Sequence, residues 1–427
     1  MQRTLFFLSL ILFPALASAQ ETAAPYTPTT PGTPTSITTT PGSSQSIDEI
    51  RRTYHLRLGP LYANPGLLLK NLGVDTNVFN QPGNQQSDFT ATLTPKADVA
   101  LPFARRGLLR TTAAVDVVYY ANYSSERSLD PQVTVRGEAY ANRLTFFGQG
   151  EYLNTRQRPN YEIDLRSRHV ENDVSAGASV RVTTKTSMEV ALTTGKTRYN
   201  ADAFFLGTSL QDTLDRDESG YSVVLRNHLT SLTAIALRYD NEQDRFPRSP
   251  VRDNDSYRVM PGVEFKPKAL ISGTAYVGYR KLTPKNALLP EYSGVVSQLT
   301  LSYTLLGATV FGVSYDRDVQ YSYEAINPYF LENSLGLYVR RAVGGRFDVI
   351  LNAARHRYDY RDLQVETFAP VVPRVDRTDE YGANLGYRLK RNTRLGVGAQ
   401  YYTRDSTRET FRQYDGLRAG LTMNYGF

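Results

Sequence analysis

The sequence has no cysteine, no tryptophan and only four histidines among 427 residues. Without cysteine there is no intrachain disulfide, no thiolate metal site and no lipid-modified amino-terminal cysteine. His55, His169, His228 and His356 are scattered, and none stands in an HExxH, a GxSxG or a metal-ligand spacing. No catalytic residue, metal site or cofactor is therefore expected. Long apolar runs are missing too. Beyond the amino terminus no stretch approaches the roughly 20 apolar residues that a membrane-spanning helix requires, which excludes a helical membrane protein.

What is present is 41% hydrophobic residues, a formal charge of +7, 30 tyrosines and 30 glycines. Such totals look soluble, yet a spanning β-strand needs only every second residue apolar, so they do not exclude a membrane location. Tyrosine, with an apolar ring and a wet hydroxyl, suits the two interfaces of a bilayer. No nucleic-acid partner is expected.

Met1 to Ala19 carries Arg3, an apolar run from Leu5 to Leu16, and the small-x-small site Ala17-Ser18-Ala19. This is a secretory signal peptide, residues 1–19. Residues 20–47, rich in Thr, Pro, Ser and Gly, have too little apolar surface to order themselves and form a disordered periplasmic tether. Residues 48–66 are a lead-in, and 67–427 is the main domain.

In that domain alternation is the rule. Leu417, Ala419, Leu421, Met423, Tyr425 and Phe427 oppose Arg418, Gly420, Thr422, Asn424 and Gly426, giving one apolar and one polar face. Eighteen such segments follow one another, from centres near Val74 and Leu93 to Val397 and Leu421. Their connections alternate in length. Even-numbered segments end in short turns such as Ala104-Arg105-Arg106-Gly107, Asn142-Arg143, Thr184-Lys185, Lys266-Pro267-Lys268, Gly344-Gly345 and Lys390-Arg391-Asn392. Odd-numbered ones lead into long polar stretches, among them Asn80 to Ser87, Thr155 to Val170, Arg198 to Asp215, Lys281 to Tyr292 and Arg361 to Asp376.

This parity predicts an all-β chain, a transmembrane antiparallel β-barrel of eighteen strands, with sixteen the next value. Short turns face the periplasm and long loops the exterior. Closure follows because hydrocarbon offers no partner to a free backbone N–H or C=O. At that width the interior is an aqueous channel unless a loop narrows it.

The polar set of each strand is expected to line the lumen, since charges rarely face lipid near the midplane. It contains Lys96, Arg110, Arg136, Arg181, Arg226, Arg238, Arg258, Arg280, Arg340, Arg355, Arg388 and Arg418. The acids of the same set are Asp98, Asp116, Glu138, Glu151, Glu189, Asp240, Glu264 and Asp348. Two readings stay open. A mostly basic wall eases the passage of anionic solutes and stacks on sugar rings, or Arg and acid residues ladder across strands to stiffen the wall.

A strand ending Leu421, Met423, Tyr425, Phe427 resembles the sorting signal by which Gram-negative bacteria deliver outer-membrane barrels to their assembly machinery. Leu56-Arg57-Leu58-Gly59-Pro60-Leu61-Tyr62-Ala63-Asn64-Pro65, followed by Asp75-Thr76-Asn77-Val78-Phe79, resembles the beta-barrel porin 2 family over roughly residues 54–427. The resemblance implies an outer-membrane location in contact with lipid. It also implies a passage for exopolysaccharide or capsular polysaccharide beside a periplasmic polysaccharide-export protein. Two other functions fit the residues: a diffusion porin for small anions or oligosaccharides, and a non-transporting scaffold or adhesin.

Overall fold

Alternation along the chain resolves into eighteen antiparallel strands that close on themselves. The computed structural model describes residues 50, 52–103, 106–267, 269–363, 373–390 and 392–426. The expected signal peptide (1–19), the tether (20–47) and Phe427 of the sorting signal lie outside the described residues, as do Arg105, Lys268 and Arg391 of the short turns.

β1 spans Leu61–Asp75, β2 Asp88–Phe103, β3 Gly107–Tyr120, β4 Ser128–Ala141, β5 Leu144–Thr155 and β6 His169–Arg181. Next come β7 Thr186–Tyr199, β8 Arg216–His228, β9 Thr233–Arg245, β10 Asn254–Phe265, β11 Ile271–Pro284 and β12 Tyr292–Leu305. The last six are β13 Thr309–Tyr321, β14 Tyr329–Val343, β15 Phe347–Arg361, β16 Val375–Lys390, β17 Thr393–Ser406 and β18 Tyr414–Tyr425. Each pairs with its successor, and β1 pairs with β18 from Leu67↔Tyr425 to Asp75↔Arg418. The eighteen expected centres all fall inside strands.

The barrel begins six residues earlier than the alternation suggested, at Leu61 rather than 67. Pro65 hides this, because proline cannot donate to a ladder. The structure accommodates it on a free edge: Pro65 pairs toward β2, opposite Ala97, whereas β18 joins only from Leu67 onward. The lead-in contributes a short strand, Leu56–Leu58, turned back on Leu61–Ala63 through Gly59, whose φ of 62° favours glycine. At the β14–β15 turn, a three-residue connection between the paired Val343 and Phe347, Gly344 and Gly345 both have positive φ, 59° and 75°, which favours glycine.

Strands run further into the expected loops than the sequence suggested. Lys281 to Pro284 belongs to β11, and His169 and Val170 to β6. Above the apolar band both faces are polar, so alternation fades while the hydrogen-bonded ladder continues.

Outward, Leu351, Leu385, Val397 and Leu421 are each about half exposed, the face suited to hydrocarbon. Phe103, Phe146, Phe311 and Phe347 mark its short-turn edge, and Tyr119, Tyr221, Tyr279 and Tyr401 its long-loop edge. These are the two aromatic girdles that the tyrosine content foreshadowed. Leu421, Met423 and Tyr425 lie on this outer face. Among the described residues no helix is long and apolar enough to cross a membrane.

Candidate functional site

The inner wall is where strand parity places the charges. Arg110, Arg136, Arg181, Arg226, Arg238, Arg258, Arg280, Arg340, Arg388 and Arg418 share the inward parity of their strands. Arg355 does not. It has the parity of Phe347 and Leu351, its side chain is 55% exposed, and it pairs at 2.6 Å with Asp379 across the outer face. In β15 the apolar Phe347 and Leu351 fix which side is outward, and Arg355 shares that side despite its charge. It stands beyond the apolar band, where an outward ion pair meets water rather than hydrocarbon.

Most inward arginines hold acids, on their own strand or on others of the same wall. Arg226 bridges Glu264 at 3.0 Å and Glu189 at 3.3 Å. Arg258 reaches Asp240 and Asp318, and Arg280 reaches Asp318 and Glu242. Arg136 holds Glu138, Arg238 holds Asp240, and Arg418 holds Asp75. These are ladders that stiffen the wall. Arg181 and Arg340, near the short-turn rim, form no ion pair among the described residues; the nearby Asp348 is engaged by Arg394 and Arg388.

A second feature was not legible beforehand. Register sets Glu151 of β5 opposite Asp173 of β6, Asp173 opposite Gly195 of β7, Gly195 opposite Glu218 of β8, and Glu218 opposite Asp244 of β9. One transverse row thus carries four carboxylates, with a glycine where a Cβ would lie 2.5 Å from Asp173 Oδ1. Carboxylate oxygens of Glu218, Glu242 and Asp244 lie within 4.8 Å of one another, with Arg216 Nε 3.4 Å from Asp244. The signal was the inward parity continuing past the apolar band.

The loop 156–168 between β5 and β6 lies across the bore. In an eighteen-stranded ring β14 to β16 lie opposite its root, and the loop reaches them. The Tyr161 hydroxyl donates to Glu380 Oε1 of β16 at 2.6 Å, and its ring packs on His356 of β15 with centroids 4.4 Å apart. Glu162, fully buried, accepts from Ser322 Oγ at 2.6 Å and from the Tyr323 N–H. Asp164 accepts from Arg404 of β17 at 2.6 Å, from Arg412 at 3.1 Å and from the Tyr414 hydroxyl at 2.7 Å. Arg158 donates to the Val78 carbonyl of the β1–β2 loop. The loop is held by hydrogen bonds and ion pairs, with no covalent tie.

A second loop covers the first. The β7–β8 connection bears a short helix, α1 (Leu210–Leu214), capped by Ser209, and buries Phe205, Leu210 and Leu214 against Ile163 and Tyr323. Arg252 of the β9–β10 loop, also buried, donates to the carbonyls of Thr213 at 2.9 Å and Pro328 at 2.6 Å. The loops therefore have a core of their own beneath the long-loop rim. Burial pushes the Glu162 carboxyl up to about 7, against the pull of Arg374 and Arg412.

Ser334, His356 and Glu332 meet on the inner wall, but not as a relay. Ser334 Oγ lies 2.7 Å from His356 Nδ1 and donates to Glu332 Oε1, while that acid lies 3.5 Å from the same Nδ1. A serine–histidine–acid relay needs its partners on opposite ring nitrogens. His55 lies beside Asn64, and His169 stacks on Tyr199 with centroids 5.1 Å apart.

With this geometry in hand, the comparisons place the chain. Residues 56–425 match the family described as "Putative beta-barrel porin 2". The chain belongs to that family. It is accordingly a porin-like outer-membrane β-barrel channel. Comparison with curated protein sequences finds no significant match. Among solved structures it is similar to OpdO of Pseudomonas aeruginosa, with a TM-score of 0.45 at 11% identity, covering 86% of this chain and 97% of that one. OpdQ of the same organism gives the same values. The siderophore receptor PirA of Pseudomonas aeruginosa gives a TM-score of 0.42 at 9% identity, covering 87% of this chain and 81% of that one.

Proposed function

We propose that this barrel is a gated outer-membrane passage through which a Gram-negative cell exports an exopolysaccharide or capsular polysaccharide, without catalysis or cofactor. The short turns face the periplasm and the long loops the exterior, as the parity of connections favours. The observation that carries the reading is loop 156–168, laid across an eighteen-stranded bore and held by non-covalent contacts. A steady diffusion pore has less use for such a bar. Barrel-assembly machinery would insert the chain, and a periplasmic polysaccharide-export protein would deliver the polymer.

Deleting the gene tests this directly. Polymer is expected to accumulate in the periplasm and to disappear from the cell surface; normal surface polymer in the deletion strain would reject export. The second reading, a diffusion porin for small anions or oligosaccharides, requires planar-bilayer recordings of a steadily open, anion-preferring pore.

A further inference from the structure

The short turns share a property that the strands and long loops lack. Residues 104–106, 142–143, 182–185, 229–232, 266–270, 306–308, 344–346 and 391–392 contain no Asp or Glu, whereas Arg105, Arg106, Arg143, Lys185, Lys266, Lys268, Arg346 and Arg391 all fall in them. A chain with 49 bases and 42 acids does not sort its charges this way by composition alone. The long-loop side is mixed, as Glu162, Asp164, Asp212, Asp253, Glu324 and Glu409 attest.

Five of these bases lie among the described residues, and there the structure shows them unspent. Arg106, Arg143, Lys185, Lys266 and Arg346 are exposed, and so is Lys390 at the end of β16. Among the described residues none of the six forms an ion pair; Arg346 donates to the Tyr387 hydroxyl. The collar also continues inward. Arg181 and Arg340 face the lumen within a few residues of their turns, again without an ion pair among the described residues, and Arg388 stands 3.8 Å from Asp348.

We infer that this rim is a capture collar for an acidic sugar polymer, one bearing carboxylate or other anionic groups, which it draws to the mouth before entry into the bore. The inference rests on the export reading above and adds the class of polymer. Unpaired cations around one opening raise the local concentration of a polyanion, an effect that falls with salt. Anionic lipid headgroups of the inner leaflet would meet the outside of the collar only. The bases that step down the inner wall, Arg181 and Arg340, are out of their reach, which favours a ligand that enters.

The test uses the purified full chain in detergent with fluorescent oligogalacturonate, a carboxylate-bearing sugar chain, and maltodextrin of matched length as the neutral control. The wild type is expected to bind the acidic oligomer and not the neutral one, with affinity falling as salt rises. Combining Arg143→Gln, Lys185→Gln, Lys266→Gln and Arg346→Gln is expected to weaken binding by about tenfold or more. All four are exposed turn residues, and heat-modifiable gel mobility reports whether the variant folds; the salt series on wild type stands independently of it. Equal binding of acidic and neutral chains, or an unchanged affinity in the folded combined variant, overturns the collar. A variant altered only in its association with phosphatidylglycerol vesicles also overturns it, in favour of lipid. Failure here leaves export standing if the deletion strain still loses surface polymer, whereas normal surface polymer defeats export whatever the collar binds.

Discussion

Tyr161 hangs from a loop rooted between β5 and β6, yet its hydroxyl donates to Glu380 on β16, on the far wall of the ring. That bond is one of the fastenings that keep loop 156–168 across the bore. Tyr161→Phe removes it while Glu380 keeps Gln400, so docking is expected to weaken by about 1 kcal/mol, or about fivefold in the open-to-closed ratio. Replacing residues 157–167 by a short Gly-Ser link is expected to raise single-channel conductance in planar bilayers. Unchanged conductance would mean that the loop does not obstruct the path.

Glu162 makes that fastening sensitive to pH. Its docked carboxyl titrates near 7 and the solvent-exposed one near 4.5. The docked state holds its proton more tightly, so docking is strongest below about 4.5 and is lost progressively as pH rises through 7. The full swing is about 3 kcal/mol. Arg252, Arg374, Arg404, Arg412, Glu324 and Tyr360 surround the group, so its own replacement is the cleanest control. Opening frequency is expected to increase between pH 5 and 8 in wild type and to lose most of that slope in Glu162→Gln.

Arg404, buried on β17, ties Asp164 of the loop to Asp376 of the wall, at 2.6 and 2.7 Å. In Arg404→Leu both acids keep other partners, Arg412 and Arg374, so the cost lies at the low end for a broken buried pair, about 3 kcal/mol. Trypsin is expected to cut the released loop at Arg166 while circular dichroism still shows the full β-sheet.

Two groups of lumen arginine should separate in experiment. Arg226→Gln leaves Glu189 and Glu264 facing each other without their shared cation, and is expected to lower thermal stability. Arg181→Gln with Arg340→Gln should leave stability nearly unchanged but reduce anion preference in reversal-potential measurements.

Arg355 serves as an outward control. Arg355 itself is exposed, and the buried Asp379 keeps Arg377 at 3.2 Å, so Arg355→Ala is expected to cost no more than about 1 kcal/mol and to leave ion selectivity untouched.

The barrel was legible because lipid demands a period of two wherever a strand crosses it. Val397 and Leu421 announce their strands unaided. That same demand stops at the edge of the apolar band, and there reading by alternation fails. Lys281 to Pro284 looked like loop, Asp173, Glu218 and Asp244 were not seen as one row, and Arg355 was assigned to the wrong face. The bar across the bore was hidden for another reason. Tyr161, Glu162 and Asp164 acquire partners more than 150 residues away, and nothing local in Asn160-Tyr161-Glu162-Ile163-Asp164 distinguishes an inward loop from an outward one.

The first and last strands are also neighbours, Leu67 against Tyr425 and Val74 against Ala419. The tube therefore cannot be sealed until β18 has been made, because its seam joins the first strand of the wall to the eighteenth. Until then two raw borders exist, each ready to pair with whatever it meets. Losing β18 would not shorten the wall but slit it from rim to rim.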